Sequence, residues 1–133
     1  MARCIFSLAA TVSLGVVLLA AQNVYSMSLG VCAVALENAM EGAGVRADPK
    51  DRSQPGAIRS LVRLMRVAFA HDLMHPRWLV DRRYKDTLEW DLGGRRHKID
   101  LARINGKSLE LEDIGGMLSY LAIKNEVACI VGP

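Results

Sequence analysis

Aromatic side chains are scarce in this 133-residue chain: two Trp, three Tyr and two Phe, 5% of the total. A core built from them is excluded, and Leu, Ile, Val, Ala and Met must fill it instead. The chain also lacks a cysteine framework. Cys4, Cys32 and Cys129 form no CxxC pair, and an odd count in apolar runs suits small hydrophobes better than disulfides or zinc ligands. No HExxH, no GxSxG elbow and no Walker A loop occurs, and Gly93-Gly94 and Gly115-Gly116 match no dinucleotide fingerprint. His71 and His75 are four residues apart with Asp72 beside them and His97 elsewhere. The pair lacks the accompanying glutamate, and Pro76 opposes helical geometry at its second member. Neither a metal nor a cofactor is therefore expected.

What is present is 51% hydrophobic sequence, enough for one modest domain. Met1-Ala2-Arg3 precedes an apolar run from Cys4 to Ala21. This layout fits a signal peptide cut after Ser26, a short membrane span, or an extension ahead of a domain that begins at Met27. Residues 1–26 are accordingly set apart from a single domain over 27–133. Residues 26–40 follow a helical pattern, with Glu37, Asn38 and Glu41 as a polar edge and Gly42 and Gly44 as terminators. Residues 43–54 read as a polar linker.

Ser53 is an N-cap type, and Pro55 suits a first helical turn. Ile58, Leu61, Val62, Met65, Ala68 and Phe69 then recur at three- and four-residue steps, predicting a helix from Pro55 to Ala70. Arg59, Arg63 and Arg66 define a second face, with their guanidinium heads expected in water. Thr87–Leu92 and Lys98–Leu101 alternate around Gly93-Gly94, which predicts a β-hairpin over residues 86–101. Asn105-Gly106 signals another turn and a short third strand near Leu109 and Leu111. Asp113 is expected to cap a last helix over 114–130, its face made by Ile114, Met117, Leu118, Leu121, Ala122 and Val127. The expected fold is mainly α, a small helical bundle with the hairpin appended before the C-terminal helix.

Charge is uneven. Residues 45–85 hold ten Lys and Arg against four Asp, a surplus of six, within a chain whose net charge is +3. Such a surplus suits either an anionic partner, nucleic acid above all, or a solvated basic face. Chemistry concentrates at the end of the arginine helix, where Arg66, His71, Asp72, His75 and Arg77 fall within twelve positions. A histidine titrating near pH ~6.5 can move protons under cellular conditions, and an arginine can hold phosphate and stabilise developing charge. Metal-independent RNA cleavage needs both functions. Five residues turn an ideal helix by about 500°, so Arg66 and His71 stand about 140° apart. They converge only if the helix ends between them or a second copy lies alongside. Otherwise His71 is a capping residue that suits the helix dipole.

Arg66-Val67-Ala68-Phe69-Ala70-His71 fits the R-x4-6-H motif, and the chain here resembles the HEPN superfamily of small helical domains. More narrowly, Leu64 to Asp72 followed by Pro76-Arg77-Trp78 is similar to a group of uncharacterised bacterial proteins with an R-N-A-F-A-H-D core. The helix through Ala35–Ala43 and Gly115-Gly116 belong to the same pattern, so the resemblance spans residues 30–130. It implies a homodimer in which Arg66 and His71 of both copies face across the interface. Active members are metal-independent endoribonucleases, while others bind RNA without cleaving it or act as scaffolds. Arg66 would stabilise phosphate and His71 act as acid and base, with substrate contacts from Arg59, Arg63, Asp72, His75 and Arg77. The residue after the motif arginine, often asparagine, is Val67 here. Three functional expectations follow. The chain is a cytoplasmic RNA-binding or RNA-cleaving domain, a non-enzymatic dimerising scaffold, or an exported or membrane-tethered protein held through residues 1–26.

Overall fold

The computed structural model describes residues 14–84 and 86–133. Cys4, most of the apolar run it opens, and Lys85 lie outside the described residues. Four helices and one hairpin follow in the order α1 (Leu14–Gly42), α2 (Gln54–His71), β1 (Thr87–Leu92), β2 (Arg95–Asp100), α3 (Leu101–Ile104) and α4 (Met117–Val131). Single 3-10 turns at Arg82–Tyr84 and Leu111–Ile114 complete the list. The fold is the expected one: mainly helical, with a two-stranded antiparallel hairpin ahead of the C-terminal helix.

Helix α1 does not begin at residue 26. It is continuous from Leu14, passing through Ser26-Met27 without a break. Ser26 is buried, and its hydroxyl donates to the Leu73 carbonyl at 2.8 Å, tying the middle of α1 to the segment after α2. Gly44 rather than Gly42 ends the helix. Its φ of 76° lets its N–H reach the Glu41 carbonyl while Val45 N–H reaches Met40, the paired bonds of a Schellman cap.

Helix α2 is the central element. Ser53 caps it as the sequence predicts, accepting from Gly56 N–H at 3.2 Å, and Pro55 sits in the first turn. Eleven of its eighteen residues are buried, because α1 packs on one side while β1 and α4 pack on the other. This wide contact brings a correction: Arg59 does not keep its head in water but is 1% exposed. Its Nη2 meets Glu37 Oε1 at 3.1 Å and Glu41 Oε1 at 3.4 Å, and its Nε donates to the Val45 carbonyl at 2.8 Å. Glu37 therefore belongs to the interior and not to a polar edge. It lies one turn after Ala33 and three residues before Met40, both buried on the same stripe.

The hairpin pairs Thr87 with Asp100 through Leu92 with Arg95. Gly93 and Gly94 have φ of 56° and 76°, the positive values that a tight two-residue turn needs at both positions. Trp90 and its cross-strand partner His97 stack, with centroids 5.6 Å apart and planes 12° off parallel. The Gln54 side chain joins α2 to the strand, donating to the Asp91 carbonyl at 2.6 Å and accepting from Asp91 N–H at 2.9 Å.

Beyond the hairpin three expectations change. No third strand forms among the described residues. Instead, Trp78 N–H meets the Lys107 carbonyl, Gly106 N–H meets Trp78, and Leu109 N–H meets Pro76, so residues 106–109 pair with the 76–78 segment. Asp113 caps the Leu111–Ile114 turn rather than the last helix, and its Oδ2 also accepts from the buried Trp78 indole at 2.8 Å. Helix α4 then starts at Met117, after Gly115 and Gly116 have both taken positive φ. The later start rotates its faces: Tyr120, Ile123 and Val127 are buried, while Leu118 is 82% exposed. The cysteine expectation also changes, since Cys32 and Cys129 are exposed and free.

Arg59→Ala leaves Glu37 buried with only the longer 3.6 Å approach of Arg63, and unfolding in urea is expected to show a loss of about 3 kcal/mol. Arg66→Ala, at an exposed and unpaired position, is expected to stay within about 0.5 kcal/mol of the parent.

Candidate functional site

The solvent edge of α2 carries Arg63, Arg66, Val67 and Ala70, the positions left over once its wide apolar face is buried. Arg63 is half-buried and leans toward Glu37, with Nη1 to Oε1 at 3.6 Å. Arg66 is exposed and makes no ion pair or side-chain hydrogen bond among the described residues. An arginine held by neither burial nor pairing keeps its full set of donors for a ligand.

His71 is the last residue of α2 and is exposed. The helix does not end between Arg66 and His71, so the two remain about 140° apart around one axis. One copy of the chain therefore does not aim both side chains at a common point from the same helix face.

Asp72 ends the helix. Its backbone is extended, with φ −150° and ψ 107°, and its N–H reaches back to the Ala68 carbonyl. The carboxylate is already committed: Oδ1 accepts from Met74 N–H at 3.0 Å and His75 N–H at 2.9 Å. These backbone donors, His75 first, hold its pKa below the ordinary aspartate value. Its expected role as a substrate contact thus competes with a turn that it builds. His75 lies outside the helix with Nδ1 3.9 Å from Asp72 Oδ2, and Arg77 is exposed with Nη1 3.5 Å from the Gly106 carbonyl. Of the seven residues the sequence singles out, Arg66, His71, Asp72, His75 and Arg77 line the exposed edge and end of α2. Arg63 straddles that edge, and Arg59 is withdrawn into the core.

A feature the sequence reading misses lies beside this edge, on α1. Val17, Ala20, Val24, Met27, Val31 and Val34 are all exposed, and they follow one another at steps of three, four, three, four and three. That is an uninterrupted 3.5-residue repeat, the signature of a helix that packs against another helix. Val24, Met27, Ser28 and Val31 surround a shallow apolar depression. Four residues at i, i+3, i+4 and i+7 are what frame the hole that accepts a side chain in coiled-coil packing. The repeat was readable from the sequence, but a run of valine and alanine inside an apolar segment hides it until the inward face is known. A second depression joins Val31 and Val34 to Phe69, Ala70 and Leu73. Ala70 is one turn beyond Arg66 on the same edge of α2, so the apolar strip borders the motif arginine.

No family model matches this chain, and no curated protein or solved structure is significantly similar to it.

Because the folded state lowers the Asp72 pKa, the ionised carboxylate stabilises the fold above the unfolded-state value, and that contribution disappears as pH falls through the folded value. Asp72→Asn is therefore expected to flatten the acid limb of a melting-temperature profile below pH ~4, where the unfolded aspartate titrates. An acid limb unchanged from the parent would remove this role from Asp72.

Proposed function

We propose that this protein binds and cleaves RNA without a metal, as a symmetric homodimer in which Arg66 and His71 of two copies form the site. The observation that carries the reading is the exposed, unpaired Arg66 guanidinium beside an unfilled helix-pairing strip. Arg66 contacts the scissile phosphate and stabilises charge as the 2′-hydroxyl attacks phosphorus to form a 2′,3′-cyclic phosphate, while His71 takes the hydroxyl proton and returns it to the 5′-oxygen as the P–O5′ bond breaks. The 140° separation within one copy is what makes the second copy necessary. The Val24–Val34 strip supports that dimer, since a helix of the same sequence laid on it would bury the exposed valines and draw both α2 edges toward one groove. The surplus of basic residues over 45–85 favours RNA over a protein partner, and the setting is cytoplasmic.

The decisive measurement is degradation of a structured RNA by the full chain with chelator present. Cleavage by the parent is expected, with His71→Ala and Arg66→Ala each lowering the rate at least about 100-fold. If His71→Ala and the parent behave alike, the catalytic role is lost, and retained RNA binding leaves a binding domain only. For the dimer, Val31→Glu places a charge on a residue that is 67% exposed in one copy. Light scattering is expected to give a dimer for the parent and a monomer for the variant, with the helical content of each copy kept.

A second reading comes from the N-terminal end of α1. Leu14, Val16, Val17, Leu18 and Leu19 are each more than half exposed, and the helix is long and apolar enough to cross a bilayer. Here residues up to about Ala21 anchor the chain at a membrane. Carbonate-washed membranes from cells expressing the full chain would retain it, whereas its recovery in the soluble fraction ends this reading.

A further inference from the structure

The corner where α1 turns into α2 holds a half-open cavity of about 440 Å³, bounded by Glu41 at the end of α1, the 44–49 loop, the first half of α2 and the Arg82–Tyr84 turn. Four arginines line it, Arg46, Arg59, Arg63 and Arg83, and they come from all three segments. The neighbouring acids are largely spoken for. Glu37 and Glu41 face Arg59, and Asp81 is held by Arg83 at 3.0 Å with its pKa lowered chiefly by that bond. What is left is cationic. Arg46 is exposed with no partner among the described residues, and Arg63 has only the 3.6 Å approach to Glu37. Arg59 is 1% exposed, and its Nη1 and the neighbouring Glu37 Oε2 are both buried without hydrogen-bond partners, so Arg59 backs the cavity without presenting a free donor to it.

We propose that this cavity binds the phosphoryl group of a small phosphorylated molecule. A carboxylate offers two oxygens and is satisfied by one arginine fork, whereas a phosphate monoester presents three and can engage forks from separate segments. Arg46 and Arg63, from separate segments, supply those forks. Val45, Pro49 and the buried Tyr84 ring form an apolar wall for whatever the phosphate carries. The volume lies within the range of about 300–1,000 Å³ typical of small-ligand sites. The site shares Arg63 with the solvent edge of α2 but uses neither Arg66 nor His71, and it does not depend on the RNA reading.

Calorimetric titration of the full chain with inorganic phosphate, AMP and adenosine at constant ionic strength tests this. Saturable one-site binding of phosphate and AMP is expected, with AMP the tighter if the apolar wall holds the nucleoside. Arg46→Ala is expected to weaken either ligand at least about 10-fold. Arg96→Ala, on the distant hairpin, controls for a general loss of charge. Equal binding of phosphate and AMP assigns recognition to the phosphoryl group alone and supports the site. The proposal fails if neither phosphate nor AMP saturates. It fails equally if adenosine binds as well as AMP, or if an Arg46→Ala/Arg63→Ala variant binds like the parent.

Discussion

The buried pair between Arg59 and Glu37 fixes how α2 lies on α1. Two charges taken out of water cost several kcal/mol each, by the general behaviour of buried ions, and only close geometry with further hydrogen bonds offsets that cost. Here Arg59 makes three contacts, to Glu37, to Glu41 and to the Val45 carbonyl. The last of these matters beyond charge. It fastens the loop that leaves the Schellman cap of α1, so one side chain sets the spacing of two helices and the path between them. A pair of leucines could bury as much surface but would let α2 slide. The interaction thus secures register, and the edge of α2 that carries Arg63 and Arg66 inherits its position from it.

From that fixed register the ends of α2 acquire their chemistry. At the start, Ser53 caps the helix while Gln54 reaches the backbone of β1, so the hairpin is bound to the same helix that α1 orients. At the other end Asp72 stops the helix and folds the next residues back over themselves, leaving His71 as the last helical side chain. That side chain is open to water at the helix terminus.

Much of this was legible in the sequence where a single physical rule dominated. The apolar spacing from Ile58 to Phe69 and Ser53 before Pro55 gave α2 to within one residue at each end, and Gly93-Gly94 between alternating runs gave the hairpin, though its second strand starts at Arg95 rather than Lys98 and Leu101 opens α3. Readings failed where two rules competed. Arg59 shares its spacing with Arg63 and Arg66, and spacing alone does not reveal that Glu37 waits opposite it on another helix. Asp113 looks like a cap for the helix that follows, yet the two glycines after it end one turn before the next begins, and Trp78 claims the carboxylate from 35 residues away. Leu118 and Leu121 read as core until that later start rotates them outward. For the site, residue types were visible, but the division of an arginine face into one buried and two accessible members was not.

In the proposed homodimer, the orientation of a second copy on α1 is constrained by the contacts already described. Arg59 meets Glu41 and Arg63 approaches Glu37, so α2 runs beside α1 in the opposite sense, residue for residue. Carried along the helix, Arg66 stands at about the level of Val34 and His71 at about the level of Leu29, given equal rises per residue in both helices. If two α1 helices paired antiparallel about Met27, the two Arg66 levels would lie about 20 Å apart along the axis, at 1.5 Å per residue. A parallel pair sets the two Arg66 at one height, with each His71 about 7.5 Å away along the axis at 1.5 Å per residue. Parallel pairing also agrees with the exposed apolar end of α1: two copies whose ends enter the same bilayer arrive side by side in the same direction. The two readings of α1 then cease to compete. A tether over residues 14–21 would hold the Val24–Val34 strips parallel.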